Sequence, residues 1–126
     1  MIAPALNGPP TVFVVDDDEA VRISLKLLLK SVGRSVVDYA SASAYLAAYQ
    51  FERPGCLVLD IRMPGMSGLE LIDAARALHP TLPVVIATGY AELPPDAPRE
   101  VPRLAKPFLE DKLLGVVAQA MATASK

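Results

Sequence analysis

Short aliphatic runs recur along this chain, and stretches of helix length separate them. Five of these runs have the length of β-strands: Val12–Val15, Val36–Tyr39, Leu57–Leu59, Val84–Ala87 and Arg103–Ala105. Three are almost continuously apolar, which is typical of strands covered on both faces of a parallel sheet. The alternation of strands with helices favours a doubly wound α/β fold with right-handed crossovers. We therefore predict a five-stranded parallel sheet in the order 2-1-3-4-5.

The segments between the runs carry apolar residues at helical spacing. A first helix is predicted by four residues that share one face: Val21, Leu25, Leu28 and Val32. Gly33 follows them and supplies the stop signal. Residues Ala42–Tyr49 predict a second, shorter helix.

A capping box, Ser67-Gly-Leu-Glu70, opens the third helix. The buried stripe predicted for that helix comprises Leu69, Ile72 and Leu78. A last helix runs towards the C-terminus and is marked by Leu113, Leu114, Val117 and Met121.

Prolines interrupt the place where a further helix belongs, between the fourth and fifth strands. Four of them fall there: Pro94, Pro95, Pro98 and Pro102. A proline inside a helix costs about 3 kcal/mol and disfavours helix in the residue before it. We predict that this fourth helix is shortened or missing, with at most a turn around Tyr90–Leu93.

The composition limits the classes of protein that this chain can represent. Its 126 residues suffice for one compact domain, which we place at residues 11–124 after a flexible tail over residues 1–10. The net charge of −2 lacks the basic excess of a nucleic-acid-binding protein. No run approaches the ~18 apolar residues of a membrane span, and the tail has no basic start typical of a signal peptide. We therefore expect a cytoplasmic protein with no membrane partner, and a buried structural thiol at Cys56.

Reactive side chains stand at the ends of four of the strand-like runs. They are, in chain order, Asp16 and Asp17, Asp60, Thr88 and Lys106. The carboxyl ends of parallel strands lie along one edge of a sheet, and ligands bind there. We therefore expect three carboxylates, a hydroxyl and an ammonium group to converge on one crevice. That set of groups suits one divalent cation and one phosphoryl group.

The carboxylates predict a metal site of a particular kind. Crowded carboxylates repel one another, and a divalent cation relieves the repulsion. Oxygen ligands favour Mg²⁺ or Mn²⁺ over softer metals. An alternative is that aspartates in turns only cap helices. We assign that role to Asp18, but it does not explain why Asp16, Asp17 and Asp60 all follow apolar runs.

Four motifs carry a resemblance to a known family. They are Val-Val-Asp16-Asp17-Asp18-Glu, Leu-Asp60-Ile-Arg-Met-Pro64-Gly65-Met-Ser-Gly68, Ala-Thr88-Gly and Ala-Lys106-Pro107-Phe. Over nearly its full length, from Thr11 to about Ala122, the chain resembles the CheY-like receiver domain of two-component response regulators. The resemblance implies a flavodoxin-like fold and a phosphoacceptor signalling domain rather than an enzyme.

The resemblance also implies roles for individual residues. Asp60 would be the phosphoacceptor, taking a phosphoryl group from the phosphohistidine of a sensor histidine kinase. Asp17, Asp60 and the backbone carbonyl of Arg62 would ligate Mg²⁺, and Asp16 would bind it through water. With the ion in place, positioning and charge neutralisation are most of what phosphoryl transfer requires.

Two positions on the last strands complete the implied site and also depart from the family. Thr88 would hydrogen-bond one phosphoryl oxygen, and Lys106 would pair with another. These two residues stand several positions closer together than is usual in the family. Arg103 occupies the position where most members carry a Tyr or Phe that turns inward on activation, so the sequence does not specify how the Thr–aromatic switch works here. Tyr90, two residues after Thr88, either takes part of that role or only packs.

The function expected from this resemblance is that of a stand-alone, single-domain response regulator in a phosphorelay. Phosphorylated on Asp60, it would signal to a partner protein or act as a phosphate sink. We expect a monomer, with phosphorylation-linked dimerisation as the alternative. The cognate kinase, the stimulus, the downstream target and the lifetime of the aspartyl phosphate are not specified by the sequence.

Three other functions compete with this one. The chain could be a receiver domain excised from a hybrid histidine kinase, whose sequence would look similar. It could be a pseudo-receiver that binds partners without phosphorylation. The presence of the full set of predicted site residues argues against that: Asp16, Asp17, Asp60, Thr88 and Lys106. An aspartyl-phosphate hydrolase of the haloacid dehalogenase type needs a second Asp two residues after the first, and Arg62 stands there instead.

Overall fold

The computed structural model of the protein describes residues 11–48, 55–89, 97–98, 100–106 and 110–124. The strands in these ranges are β1 Thr11–Val15, β2 Ser35–Tyr39, β3 Gly55–Leu59, β4 Val84–Thr88 and β5 Arg103–Ala105. The helices in these ranges are α1 Glu19–Ser31, α2 Ala42–Ala48, α3 Gly68–Leu78 and α4 Glu110–Ala124. The tail predicted for residues 1–10 lies outside the described residues.

The strands form one parallel sheet in the order β2-β1-β3-β4-β5, which confirms the predicted fold class and strand order. β1 lies at the centre of the first three strands and is paired along its whole length with both β2 and β3. All residues of β1, β3 and β4 are buried, as expected when helices cover both faces.

Two apolar layers, one on each face of the sheet, hold the helices in place. On one face, Phe13 of β1 packs in a cluster with Tyr45 of α2 and Leu71 of α3. On the other face, Leu25 of α1 and Leu113 of α4 belong to a separate cluster. Side chains alternate between the faces along each strand. The sheet is therefore clamped from both sides, and the residues that follow its strands start from fixed positions.

Two predicted core positions prove to be wrong. Val32 is 53% exposed and Leu78 is 43% exposed. Val32 is the C-cap of α1 and has already left helical geometry, and Leu78 is the last residue of α3. Helical periodicity therefore overstated burial at helix ends. On α1, Leu29 is fully buried and takes the core position instead.

Gly33 ends α1 as predicted. Its φ is +85°, in the left-handed region that glycine adopts without a steric penalty. The amide of Gly33 donates to the carbonyl of Lys30 (3.0 Å) and that of Arg34 to the carbonyl of Leu29 (3.1 Å). These two bonds make a Schellman motif, which turns the chain sharply into β2.

The connection between β4 and β5 contains no helix in the part that the structure describes, which comprises residues 89, 97–98 and 100–102. The turn predicted around Tyr90–Leu93 lies outside the described residues. Among the helices of the described ranges, none is long and apolar enough to cross a membrane.

The thiol of Cys56 is fully buried in β3. Burial disfavours the thiolate and raises the pKa of Cys56 to about 12. The prediction of a buried cysteine is confirmed, and such a thiol is inert at neutral pH.

Two cations of α1 bind one carboxylate of β2. Nε of Arg22 lies 3.2 Å from Oδ2 of Asp38, and Nζ of Lys26 lies 2.8 Å from Oδ1. The hydrogen bond from Lys26, followed by its charge and by the contacts of Arg22, outweighs burial and lowers the pKa of Asp38. These ion pairs join the first helix to the strand at the edge of the sheet.

Replacement of Asp38 by Asn is expected to lower the free energy of unfolding by about 1 kcal/mol at neutral pH, because a partly exposed carboxylate loses two ion pairs. The pKa of Asp38 in the folded state is below its ordinary value of 3.8. The stabilisation is therefore complete above that value and is lost as the pH falls through the folded-state pKa. Urea unfolding of wild type and Asp38→Asn at neutral and strongly acidic pH measures the difference. A difference that stays constant down to the acidic end contradicts the prediction.

Candidate functional site

Backbone hydrogen bonds continue past the ends of β1 and β3 and position Asp16 and Asp60. The amide of Asp16 donates to the carbonyl of Tyr39 on β2 (3.2 Å), and the amide of Asp60 donates to the carbonyl of Val15 on β1 (3.2 Å). Since β1 and β3 are neighbours, these bonds place Asp16 and Asp60 side by side at one edge of the sheet.

Three carboxylates meet at this edge. Asp16, Asp17 and Asp60 each contribute an oxygen to a group whose members lie within 4.8 Å of one another. Asp16 is buried, Asp60 is half-buried and Asp17 is exposed. The cluster is therefore anchored in the protein at Asp16 and open to solvent at Asp17.

Lys106 links two of these carboxylates. Its Nζ lies 2.7 Å from Oδ2 of Asp16 and 3.0 Å from Oδ2 of Asp60. Burial alone would lower the pKa of Lys106, but the hydrogen bonds and negative charges of Asp16 and Asp60 outweigh it and raise that pKa. The ammonium group is therefore charged at neutral pH and holds the ends of β1, β3 and β5 together.

Backbone amides complete the anchoring of the two carboxylates. The amide of Asp18 donates to Oδ1 of Asp16 (2.9 Å), and the amide of Arg62 donates to Oδ1 of Asp60 (3.3 Å). Asp18 itself caps α1, since its carboxylate accepts from the amides of Ala20 and Val21. The helix-capping role predicted for Asp18 is confirmed.

Thr88 and Arg62 lie next to the cluster. Thr88 is the buried last residue of β4, and its carbonyl accepts a hydrogen bond of 2.8 Å from the amide of Lys106. Arg62 follows Asp60 in the loop after β3 and is exposed. The structure thus places every predicted site residue at one edge of the sheet, while the roles assigned to these residues remain predictions.

The cluster has the chemistry of a site for a small, hard cation. Three carboxylates face one ammonium group, so an excess of negative charge remains. Carboxylate oxygens are the ligands that Mg²⁺ takes in proteins, usually together with water. The exposure of Asp17 leaves that side of the cluster open to a hydrated ion. The residues therefore fit Mg²⁺.

The loop between Asp60 and α3 is tightly packed at Gly68. The capping box predicted at Ser67 is present and starts α3, and the amide of Gly68 donates to the carbonyl of Ile61 (2.8 Å). A Cβ at Gly68 would overlap the carbonyl oxygen of Asp60 and lie 2.7 Å from Cα of Ile61. Only glycine lets α3 approach the acidic cluster this closely.

Sequence reasoning missed one residue pair that contacts this site. Arg22 donates from Nη1 to the backbone carbonyl of Asp16 (2.8 Å) while it also pairs with Asp38. A signal was present for Asp38 alone, because Asp is depleted in strands and Asp38 lies between Val37 and Tyr39 in β2.

A family model described as the response regulator receiver domain matches residues 12–118. The response regulator protein TodT of Pseudomonas putida strain F1 is 35% identical over 114 residues, which make up 87% of this chain and 50% of TodT. The transcriptional regulatory protein FixJ of Bradyrhizobium diazoefficiens is 38% identical over 114 residues, which make up 87% of this chain and 56% of FixJ. The chain thus spans about half the length of these relatives.

Solved structures show the same similarity. The response regulator StyR superposes with a TM-score of 0.86 and 40% sequence identity, over 94% of this chain and 62% of that one.

Replacement of Gly68 by Ala is expected to lower the free energy of unfolding by about 2 kcal/mol or more, because the added methyl group overlaps backbone atoms that cannot move independently. Gly115→Ala is the matched control. A Cβ there meets nothing within 4 Å, so the same change in the middle of α4 should stabilise the fold by about 0.5–1 kcal/mol. Urea unfolding measures both. Equal effects of the two substitutions would contradict the close approach at Gly68.

Replacement of Lys106 by Met, tested without added divalent cations, is expected to lower the free energy of unfolding by about 2 kcal/mol, because it leaves the buried carboxylate of Asp16 and the half-buried carboxylate of Asp60 without their counter-charge. Lys112→Met removes an exposed lysine of α4 and should change stability by less than about 0.5 kcal/mol. Denaturant unfolding at neutral pH compares them. If Lys106→Met unfolds like the control, the ammonium group does not neutralise the cluster.

Proposed function

This chain belongs to the response regulator receiver domain family, and from that premise we propose that it accepts a phosphoryl group on Asp60 from a sensor histidine kinase. The observation that carries the proposal is the position of the Lys106 ammonium group between Asp16 and Asp60, with Asp17 in the same cluster. Acceptor, counter-charge and candidate ion ligands thus share one edge of the sheet.

Asp60 has the environment that an acceptor needs. It is half-buried, so a donor can reach it, and its carboxylate is held at both oxygens, by Lys106 and by the amide of Arg62. In the transfer, a carboxylate oxygen of Asp60 attacks the phosphorus of the donor phosphohistidine. An O–P bond forms, the P–N bond breaks, and the imidazole leaves with the electron pair. The product is an acyl phosphate on this chain.

The acidic cluster would bind one Mg²⁺. Asp17 and Asp60 would ligate it together with the backbone carbonyl of Arg62, and Asp16 would bind it through water. When bound, Mg²⁺ neutralises negative charge on the carboxylates and on the phosphoryl oxygens. Asp16 serves the site in a second way, because its buried carboxylate keeps Lys106 beside the acceptor.

Lys106 and Thr88 would stabilise the phosphoryl group after transfer. Formation of the acyl phosphate removes the negative charge of the Asp60 carboxylate, so the ammonium group of Lys106 would exchange that partner for a phosphoryl oxygen. Thr88 would donate from its hydroxyl to a second oxygen. Because the amide of Lys106 donates a hydrogen bond to the carbonyl of Thr88, a shift of either residue on phosphorylation would move the other.

We further propose that the phosphorylated chain signals by binding a partner protein. The named relatives are regulators about twice as long as this chain, so their outputs are properties of those whole proteins. Arg103, at the start of β5, is exposed. A switch in this chain would therefore rest on the backbone link between Thr88 and Lys106 rather than on an inward-turning aromatic ring.

Incubation with Mg²⁺ and a small acyl phosphate, or with a panel of phosphorylated histidine kinases, is expected to add one phosphoryl group to the wild type and none to Asp60→Asn, because the amide cannot form an acyl phosphate. Asp73→Asn, which alters an exposed carboxylate of α3, should be phosphorylated like the wild type. Intact-protein mass measurement and the lability of the product to hydroxylamine report the result. Phosphorylation of Asp60→Asn, or none of the wild type by any donor, rejects the proposal. The latter result combined with partner binding would indicate a phosphorylation-independent binding module.

A further inference from the structure

One arginine outside the acidic cluster contacts the backbone of that cluster. Arg22 lies on α1, but its side chain is only 13% exposed. From Nη1 it donates to the carbonyl oxygen of Asp16 (2.8 Å), and from Nε it donates to Oδ2 of Asp38 (3.2 Å). Its charge therefore lies beside an acidic site without pairing with any carboxylate of that site.

We infer that Arg22 is a positioning residue that fixes the peptide unit between Asp16 and Asp17 and thereby directs the Asp17 carboxylate towards the ion site. The inference rests on the proposed function, because it assigns Asp17 to the binding of a divalent cation.

The physical basis is the planarity of the peptide bond. The carbonyl of Asp16 and the amide of Asp17 belong to one rigid unit, so a hydrogen bond that holds the carbonyl also fixes the position of the Asp17 Cα, from which the side chain of Asp17 starts. Asp17 needs this support because it is exposed. Among the residues that the structure describes, no donor contacts its carboxylate. By contrast, the carboxylate of Asp16 is held by Lys106 and by the amide of Asp18.

Asp38 in turn fixes the guanidinium group of Arg22. The two oxygens of Asp38 serve different cations: Oδ1 accepts from Lys26 (2.8 Å), and Oδ2 accepts from Arg22. The planar guanidinium can serve two acceptors that lie in different directions, whereas a lysine offers one flexible ammonium group. Since the two acceptors of Arg22 bind different nitrogens, Nε and Nη1, the geometry favours arginine over lysine at position 22.

The two explanations for a cation at this place predict opposite effects. If Arg22 acted only through its charge, its removal would strengthen the binding of Mg²⁺, because repulsion between two cations would be relieved. If it positions Asp17, its removal weakens binding, because part of the ligand set loses its orientation. Lys26 provides the matched control, since it pairs with the same carboxylate and does not contact Asp16.

The experiment measures the affinity for Mg²⁺ alone by calorimetry and by the amide signals of Asp17 and Asp60. Arg22→Gln is expected to lose about 10-fold in affinity, the scale on which groups that orient ligands act. Arg22→Lys is expected to lose affinity as well, while Lys26→Gln keeps the affinity of the wild type or exceeds it. Arg22→Gln that binds as tightly as the wild type, or Arg22→Lys with full affinity, overturns the inference.

A second variant covers the case in which Arg22→Gln does not fold. Asp38→Asn keeps Arg22 but releases its anchor, so its affinity for Mg²⁺ should fall below that of Lys26→Gln. Equal affinities of these two variants overturn the inference. Urea unfolding of each variant identifies conditions under which all the proteins are folded, and the affinities are compared under those conditions.

Phosphorylation separates the two proposals. At saturating Mg²⁺, Arg22→Gln should regain phosphorylation by a small acyl phosphate, whereas Asp60→Asn should not. If the wild type binds Mg²⁺ and is not phosphorylated, the proposed function fails and the affinity comparison still decides the role of Arg22. Failure of the wild type to bind Mg²⁺ overturns both proposals.

Discussion

Electrostatic repulsion among three carboxylates at one edge of a sheet is the constraint on which this structure depends. One carboxylate oxygen from each of Asp16, Asp17 and Asp60 lies within 4.8 Å of the other two, and like charges that close oppose folding. The protein offsets part of that repulsion with Lys106 and with backbone amides. It leaves the rest uncompensated on the side of the cluster that faces solvent, which is the property that a site for a cation and a phosphoryl group requires.

The fold supplies the rigidity that such a site needs. The aliphatic strands are packed on both faces, which holds their ends close together. The backbone hydrogen bonds of Asp16 and Asp60 continue the strand pairing by one residue beyond β1 and β3. Gly68 brings α3 against the loop after Asp60. The pair of Arg22 with Asp38 brings α1 against the loop after β1. Each of these two loops is thus braced by the helix that follows it.

Much of this arrangement could be predicted from the sequence, because it follows from periodicity and from the direction of parallel strands. The strand order, the cap at Asp18, the capping box at Ser67 and the convergence of the acidic residues are of this kind. The ion pairs of Asp38 depend on the conformations of two long side chains, those of Arg22 and Lys26, which reach from the helix to the strand. Spacing along the chain does not encode those conformations. The exposure of Val32 and Leu78 depends on where a helix stops covering the sheet, which periodicity does not encode either.

The hydrogen bond between Lys106 and Asp16 joins residues 90 positions apart in the chain. The entropic cost of closing this loop must be met before the contact contributes, and contacts of this range tend to form late in folding. During synthesis, both acidic segments leave the ribosome well before the lysine that balances them. The acidic cluster is therefore expected to reach its final structure last. In a nascent chain that ends before β5, the core would form while the negative charges of Asp16, Asp17 and Asp60 still lack the positive charge of Lys106.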